Sequence, residues 1–279
     1  MKKFLGIEYG RAATATITDK GPALAPRATQ QMFPDADWTF VTPDAFNLAE
    51  CTADRFGENF KIQLKIYSAT TRTPHILVGG DHSVNFGHFA ALADQLPDKD
   101  LCLVYIDAHL DIHTPETSRA QASGAPHGTN VRALLGEGDA RWMTLPQKKP
   151  SLLPKNLFYI GTRAFEPAEH QYITDNNIYV KYANEIQTLD SVKTTVSSIR
   201  NQIGNRPFVV SFDFDAIDPK YFSAVLVPEP NGISVEIAKY LIQAFSDAYS
   251  FEFVEYAPNG DTSCAQIVHE LVDIVYSCN

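Results

Sequence analysis

Short apolar runs alternate with longer amphipathic stretches along most of this chain. Runs at 3–9, 75–78, 101–106, 157–161, 207–214 and 251–256 predict β-strands, with weaker candidates at 38–41 and 178–181. Between them, apolar residues return at helical spacing near 22–31, 58–71, 84–95, 130–136, 166–176, 188–203, 234–247 and 262–276. Strands separated by helical patterns predict a parallel sheet with helices on both faces. The run "FVVSF" does not alternate, as expected of a strand covered on both sides. The stretch "GEGDARWMTLPQKKPSLLPKN" (136–156) predicts a long surface loop. The strand pattern resumes directly after it, so the expectation is one α/β domain over 1–279, with a parallel sheet of about eight strands.

Composition narrows the class. Apolar residues make up 44 % and charged residues 20 % of the 279 positions, a balance typical of a soluble globular protein. A formal charge of −10 argues against nucleic acid as the main partner, because phosphate binding needs clustered Lys and Arg. It is compatible with a cationic substrate. Cys51, Cys102, Cys264 and Cys278 show no paired spacing and read as reduced thiols of a cytoplasmic protein. "MKKFLGIEYG" starts like a signal peptide, but Glu8 ends its apolar run early, and no segment reaches membrane-helix length. No membrane partner is expected.

Three strand ends then change character. "HILVGGDHS" releases Asp81 and His82, "LVYIDAHLDIH" releases Asp107, His109, Asp111 and His113, and "FVVSFDFDAIDP" releases Asp213, Asp215 and Asp218. In open α/β sheets ligands bind outside the carboxyl ends of strands, so these groups are expected to converge there. Alternate residues of an extended chain share a direction, which aligns Asp107 with His109 and Asp111, and Asp213 with Asp215. So many buried ionisable groups repel one another and lose hydration. Two divalent cations remove that objection, and Asp/His donors without Cys favour manganese-like metals over structural zinc. Asp218, before Pro219, reads as a turn or cap residue, and Asp81 as a residue that steers its neighbours.

"GGDHS", "DAHLDIHTP" and "SFDFDAIDP" together resemble the metal motifs of the ureohydrolase superfamily, the arginases, agmatinases and relatives. "YIGTRAFEPAEH" and "FEFVEYAPNGD" resemble its central and last strands. The resemblance implies two Mn(II) ions, one on His82, Asp107, Asp111 and Asp213, the other on Asp107, His109, Asp213 and Asp215. It implies that hydroxide held between them attacks a guanidinium carbon, that Asp111 takes up the proton, that His127 shuttles protons to the leaving amine, and that Glu255 pairs with the guanidinium. The loop from Asp111 to His127 is most similar to that of arginases, which implies a small cationic guanidino substrate, L-arginine first, held also by His113, Ser123, Glu166 and Glu169.

The chain departs from the arginase pattern at His113 and Ala125, where asparagines are usual, at Glu166 for aspartate and at Val227 for threonine. Losing amide donors weakens carboxylate binding by roughly 1 kcal/mol or more per bond, which keeps agmatine, guanidinobutyrate and formimino compounds open as substrates. Two other classes find less support in the residues. The related zinc deacetylases use adjacent histidines, and this chain has none. A non-catalytic relative would lack metal ligands, and none is missing. Family resemblance also implies a homo-oligomer, a trimer or hexamer.

Overall fold

The computed structural model describes residues 3–12, 20–96, 100–118 and 123–278. Residues 119–122, in the loop from Asp111 to His127 singled out above, lie outside the described residues. Among the described residues eight strands form one sheet: β1 (Lys3–Ile7), β2 (Trp38–Val41), β3 (His75–Val78), β4 (Cys102–Ile106), β5 (Leu157–Thr162), β6 (Tyr179–Tyr182), β7 (Phe208–Asp213) and β8 (Ser250–Val254). The helices are α1 (Ala25–Met32), α2 (Leu48–Ala53), α3 (Arg55–Ala69), α4 (Val84–Gln95), α5 (Asn130–Leu134), α6 (Pro167–Asp175), α7 (Leu189–Ile203), α8 (Val235–Ala244) and α9 (Thr262–Ser277). All strand pairs are parallel, in the order β2-β1-β3-β8-β7-β4-β5-β6.

That order decides where the motifs meet. The chain lays β3 and β4 apart, builds outward through β5 and β6, and then fills the central gap with β7 and β8. The strands that carry "GGDHS", "VEYAP", "SFDFD" and "DAHLD" thereby become four consecutive neighbours. Their ends are level: Val78 pairs with Phe253, Phe253 with Phe212, and Phe212 with Ile106.

Side chains alternate between two covered faces. Val104, Ile106, Val210, Phe212, Phe251 and Phe253 pack with residues of α1, α7, α8 and α9. On the other face Leu103, Tyr105, Leu157, Tyr159 and Val209 pack against α4, α5 and Trp142. Beyond the strand ends, Gly80 is pressed against the chain leaving β1. A Cβ there would lie 1.2 Å from the Tyr9 carbonyl oxygen, so only glycine fits.

Two local expectations change. The 207–214 strand ends at Asp213, and Phe214–Ala216 turns into a 3-10 helix, which aims Asp213 and Asp215 differently. The stretch 136–156 is only partly a surface loop. Trp142 and Leu152 are buried within it, and the Trp142 ring stacks on Phe86 at 4.7 Å and meets Phe56 edge-on at 5.8 Å. Its Gly, Pro and Lys content concealed the one large anchor. Trp142→Ala should therefore cost about 3–5 kcal/mol of unfolding free energy, as for a core aromatic. Chemical denaturation checks this: a change within about 0.5 kcal/mol, as at exposed positions, would mean the loop does not depend on its anchor.

Candidate functional site

Beyond the level ends of β3, β8, β7 and β4, five Asp and His side chains converge in two groups, with Asp213 beside them. His82, Asp107 and Asp111 form one, and Asp107, His109 and Asp215 the other, each with ligand atoms close enough to share an ion. His82 Nδ1 lies 2.8 Å from Asp107 Oδ2, 3.1 Å from Asp213 Oδ2 and 3.6 Å from Asp111 Oδ2. His109 Nδ1 lies 3.0 Å from Asp215 Oδ2 and 3.4 Å from Asp107 Oδ1. Asp107 thus serves both groups through different oxygens. Asp213 faces the first group, and its other oxygen accepts from the Asp215 N–H at 2.7 Å.

Local backbone geometry builds this edge. Asp107 Oδ1 accepts from the His109 N–H at 2.6 Å, and Asp215 Oδ1 from the Ala108 N–H at 3.1 Å, which ties the ends of β4 and β7 together. Asp111 sits at φ 49°, a left-handed conformation uncommon outside glycine. Its Oδ2 accepts from the Tyr105 hydroxyl at 2.7 Å, while the Tyr105 ring stacks flat on His82 at 4.2 Å between centroids. Asn130 Nδ2 reaches Asp111 Oδ2 and the His127 carbonyl.

The donor set fits a pair of divalent cations. Asp107 Oδ2 is buried and has no well-directed hydrogen bond, although it faces His82 Nδ1 at contact distance. Electron-pair donors held face to face in this way are what a cation between them would relieve. The electrostatics agree. Burial and the neighbouring Asp107 push Asp111 up to about 7, and burial with Asp215 and Asp107 pushes Asp213 well above the carboxylate range. Burial lowers His82 and His109, but their carboxylate neighbours outweigh it and hold both well above an ordinary imidazole.

A cavity of about 280 Å³ opens over this cluster, lined by His82, His109, Asp111, Asp213 and Asp215 at its base. Glu255 and His127 stand beside them. Glu255 lies just past β8 at φ 63° and accepts from the His82 N–H at 2.9 Å through Oε1. Burial, then Asp81, raises it well above its ordinary pKa. His127 Nδ1 donates to the Ala12 carbonyl at 3.0 Å, which leaves Nε2 as its acceptor, and burial lowers it to about 4. Ser123, Glu166 and Glu169 also line the cavity.

His113 is placed differently from the expectation. It is 1 % exposed, lies outside the cavity lining and sits behind the wall, with Nε2 3.5 Å from both Glu166 and Glu169 and Nδ1 3.0 Å from Thr117 Oγ1. Asp111, two residues before it, adopts a left-handed conformation, so the extended alternation of the β4 end does not continue to His113. Asp81 is structural, as read: its oxygens accept from Ser83 and the Ala12 N–H. Asp218 is a turn residue that accepts from the Lys220 N–H.

Sequence reasoning missed Tyr105, Asn130 and Glu229. Tyr105 was hidden inside an apolar run. Glu229 lies on the loop after β7 and comes within 3.8 Å of His109 Nε2 only through the fold. Arg163 holds that loop, donating to the carbonyls of Asp215, Glu229 and Pro230.

Comparison with known proteins places these residues in context. The model of the Arginase family matches residues 11–278. The chain is 34 % identical over 196 residues to mitochondrial arginase-2 of Rattus norvegicus, covering 67 % of this chain and 54 % of that protein. It is 31 % identical over 214 residues to non-hepatic arginase 3 of Xenopus laevis, covering 73 % and 58 %. The matched stretch thus spans about half the length of these relatives. Among solved structures, arginase from Bacillus subtilis superposes with a TM-score of 0.81 at 23 % identity, covering 99 % of this chain and 98 % of that one.

The cluster also sets how metal-free protein responds to pH. Asp111, Asp213, His82 and His109 all hold protons more tightly folded than unfolded, so the stability they contribute is lost as pH rises through their folded values, about 7 for Asp111. Burial lowers His75 and His127 to about 4, and their opposing contribution is complete by about pH 6.5. Metal-stripped protein should therefore melt progressively lower between about pH 7 and pH 8.5. Saturating Mn²⁺ should remove most of that drop. A flat or rising melting temperature in the stripped protein would contradict the assignment.

Proposed function

The chain belongs to the arginase family, and from that premise we propose that it hydrolyses a guanidino group to urea and an amine, with L-arginine the first substrate to test. One observation carries the reading: two carboxylate–imidazole groups that share Asp107 lie at the base of a cavity whose wall presents Glu255 and His127. His82, Asp107, Asp111 and Asp213 would hold one divalent ion, and Asp107, His109, Asp213 and Asp215 the other, Mn(II) being the expected metal. When bound, such ions act as Lewis acids and make water nucleophilic near neutral pH.

The protein's own groups do the rest. Glu255 offers a carboxylate to a planar cation, which can give it two parallel hydrogen bonds. Burial, with Asp81 nearby, raises its pKa, and a positive partner would offset that cost. Asp111, with its Oδ2 engaged by Tyr105, takes up the proton released when water attacks. His127 is fixed by Ala12 with Nε2 free, and a neutral imidazole in that state can collect a proton and pass it to the leaving amine.

The outer wall favours a second reading of the substrate. Glu166, Glu169 and Glu229 stand on it, Ala164, Phe165, Val225 and Val227 fill the gaps, and no Lys or Arg is among the described lining residues. That surface suits a guanidino compound with a second amine and no carboxylate, such as agmatine.

Urea release after Mn²⁺ loading, compared across L-arginine, agmatine, guanidinobutyrate and guanidinopropionate, separates the two. Highest activity on arginine supports the first reading and highest activity on agmatine the second, while silence on all four with metal bound would sink both. In the active case His127→Asn should lose roughly 100-fold or more in kcat, and Glu255→Gln should lose substrate turnover, both with Mn²⁺ binding retained. Near-normal rates in either variant would remove its role.

A further inference from the structure

Directly behind His82 the sheet buries polar groups that the proposed chemistry does not use. Glu252 on β8, His88 and Asn85 on α4, Ser250 on β8 and Ser211 on β7 are all 0 % exposed. An ionisable pair so deep in an apolar face is costly unless its hydrogen bonds are complete.

Counting protons through this set fixes the direction of each bond. Ser250 has one hydroxyl hydrogen and gives it to the His75 carbonyl at 2.9 Å, so at 3.3 Å it accepts from His88 Nε2. His88 Nδ1 then meets Glu252 Oε1 at 2.5 Å, and Asn85 Nδ2 donates to Glu252 Oε2 at 2.7 Å. Ser211 is the register neighbour of Glu252 across β7 and β8, and its side chain hydrogen-bonds the same carboxylate. Burial opposes charge on Glu252, but the bonds from His88, Ser211 and Asn85 outweigh it and hold the pKa below the ordinary value.

An ionised carboxylate has no proton to give, so Ser211 is the donor in that bond. The Ser211 oxygen is then the acceptor for His82 Nε2, 2.8 Å away, which must carry hydrogen. The lone pair of a neutral His82 is left on Nδ1, the atom that faces Asp107 and Asp213.

We propose that Glu252 is a positioning residue for the metal centre: through Ser211 it locks the Nε2–H tautomer of His82 and so presents Nδ1 to the metal. This rests on the metal-centre reading above and adds to it a residue remote from the cavity. The physical basis is general, since the nitrogen that binds metal is chosen by the bond the other nitrogen makes.

Glu252→Gln tests it. A glutamine amide cannot accept from all three donors, so its NH₂ group faces one of them. Turned to Ser211, it reverses the serine hydroxyl, which then donates to His82 Nε2 and favours the wrong tautomer. In the full-length chain, Mn²⁺ titration by calorimetry should show one of the two sites weakened roughly 10–100-fold in Glu252→Gln. Imidazole ¹⁵N NMR of the metal-stripped chain, recorded above the pH at which His82 becomes neutral, should show His82 as the Nε2–H form in the wild type, with the Nδ1–H form appearing in the variant.

Ser211→Ala leaves the Glu252–His88 pair intact and should weaken the same site, whereas Ser211→Thr, which keeps the hydroxyl, should restore it. This pair keeps the test decisive if Glu252→Gln fails to fold. Wild-type Mn²⁺ affinity in Ser211→Ala, or an unchanged His82 tautomer in Glu252→Gln, would overturn the proposal. A wild-type chain that binds no Mn²⁺ would instead overturn the metal-centre reading, and the NMR signature would still decide whether Glu252 sets the tautomer.

Discussion

Burying negative charge is the hardest demand placed on this molecule. Asp107, Asp111, Asp213, Asp215 and Glu255 all lie less than a tenth exposed at one edge of one sheet. Each ionised group withdrawn from water costs several kcal/mol unless partners replace its hydration. The fold supplies N–H donors from His82, Ala108, His109 and Asp215, a phenol from Tyr105 and two imidazoles. Charge remains in excess after these bonds are made, as the raised pKa values of Asp111 and Asp213 record. Groups held in this state are prepared for cations.

Holding the carboxylates there also strains the backbone. Asp111 and Glu255 both adopt positive φ, at a cost on the order of 1–3 kcal/mol each. Neither could relax without unmaking contacts on both sides. The Asp111 carbonyl accepts from Val131 at the start of α5, and the Glu255 N–H donates to Gly80, whose lack of a side chain lets the β1 and β3 ends meet. The strain is thus concentrated at the two carboxylates proposed for proton uptake and cation pairing.

Base and wall of the cavity differ in construction. The base consists of strand ends inside the hydrogen-bonded sheet, backed by α4 and the Glu252–His88 pair. The wall is made of loops: the turn into α6 with Glu166 and Glu169, and the segment after β7 with Val225, Val227 and Glu229. Arg163 joins these loops by donating to five backbone carbonyls, so its cation serves the wall and does not enter the cavity. Rigid chemistry at the base with adjustable composition on the wall is an arrangement in which specificity can change while the reaction does not.

The strands and the parallel class were legible in the sequence, and the Asp and His residues of the cluster stood out as candidates, because each depends on local order: apolar runs, helical spacing, and Asp and His released together at strand ends. Local order could not reveal that "VEYAP" sits between "GGDHS" and "SFDFD", since β7 and β8 enter the sheet last and fill its centre. Resemblance to the arginase loop placed His113 at the substrate, whereas the left-handed turn at Asp111 ends the extended chain before it and His113 sits behind the wall. Glu229, Tyr105, and the Glu252–Ser211–His82 chain were equally hidden. A carboxylate in an apolar strand looks like an isolated exception until the neighbouring strand shows where its hydrogen bonds go, and pairing between strands distant in sequence is decided only by the tertiary fold.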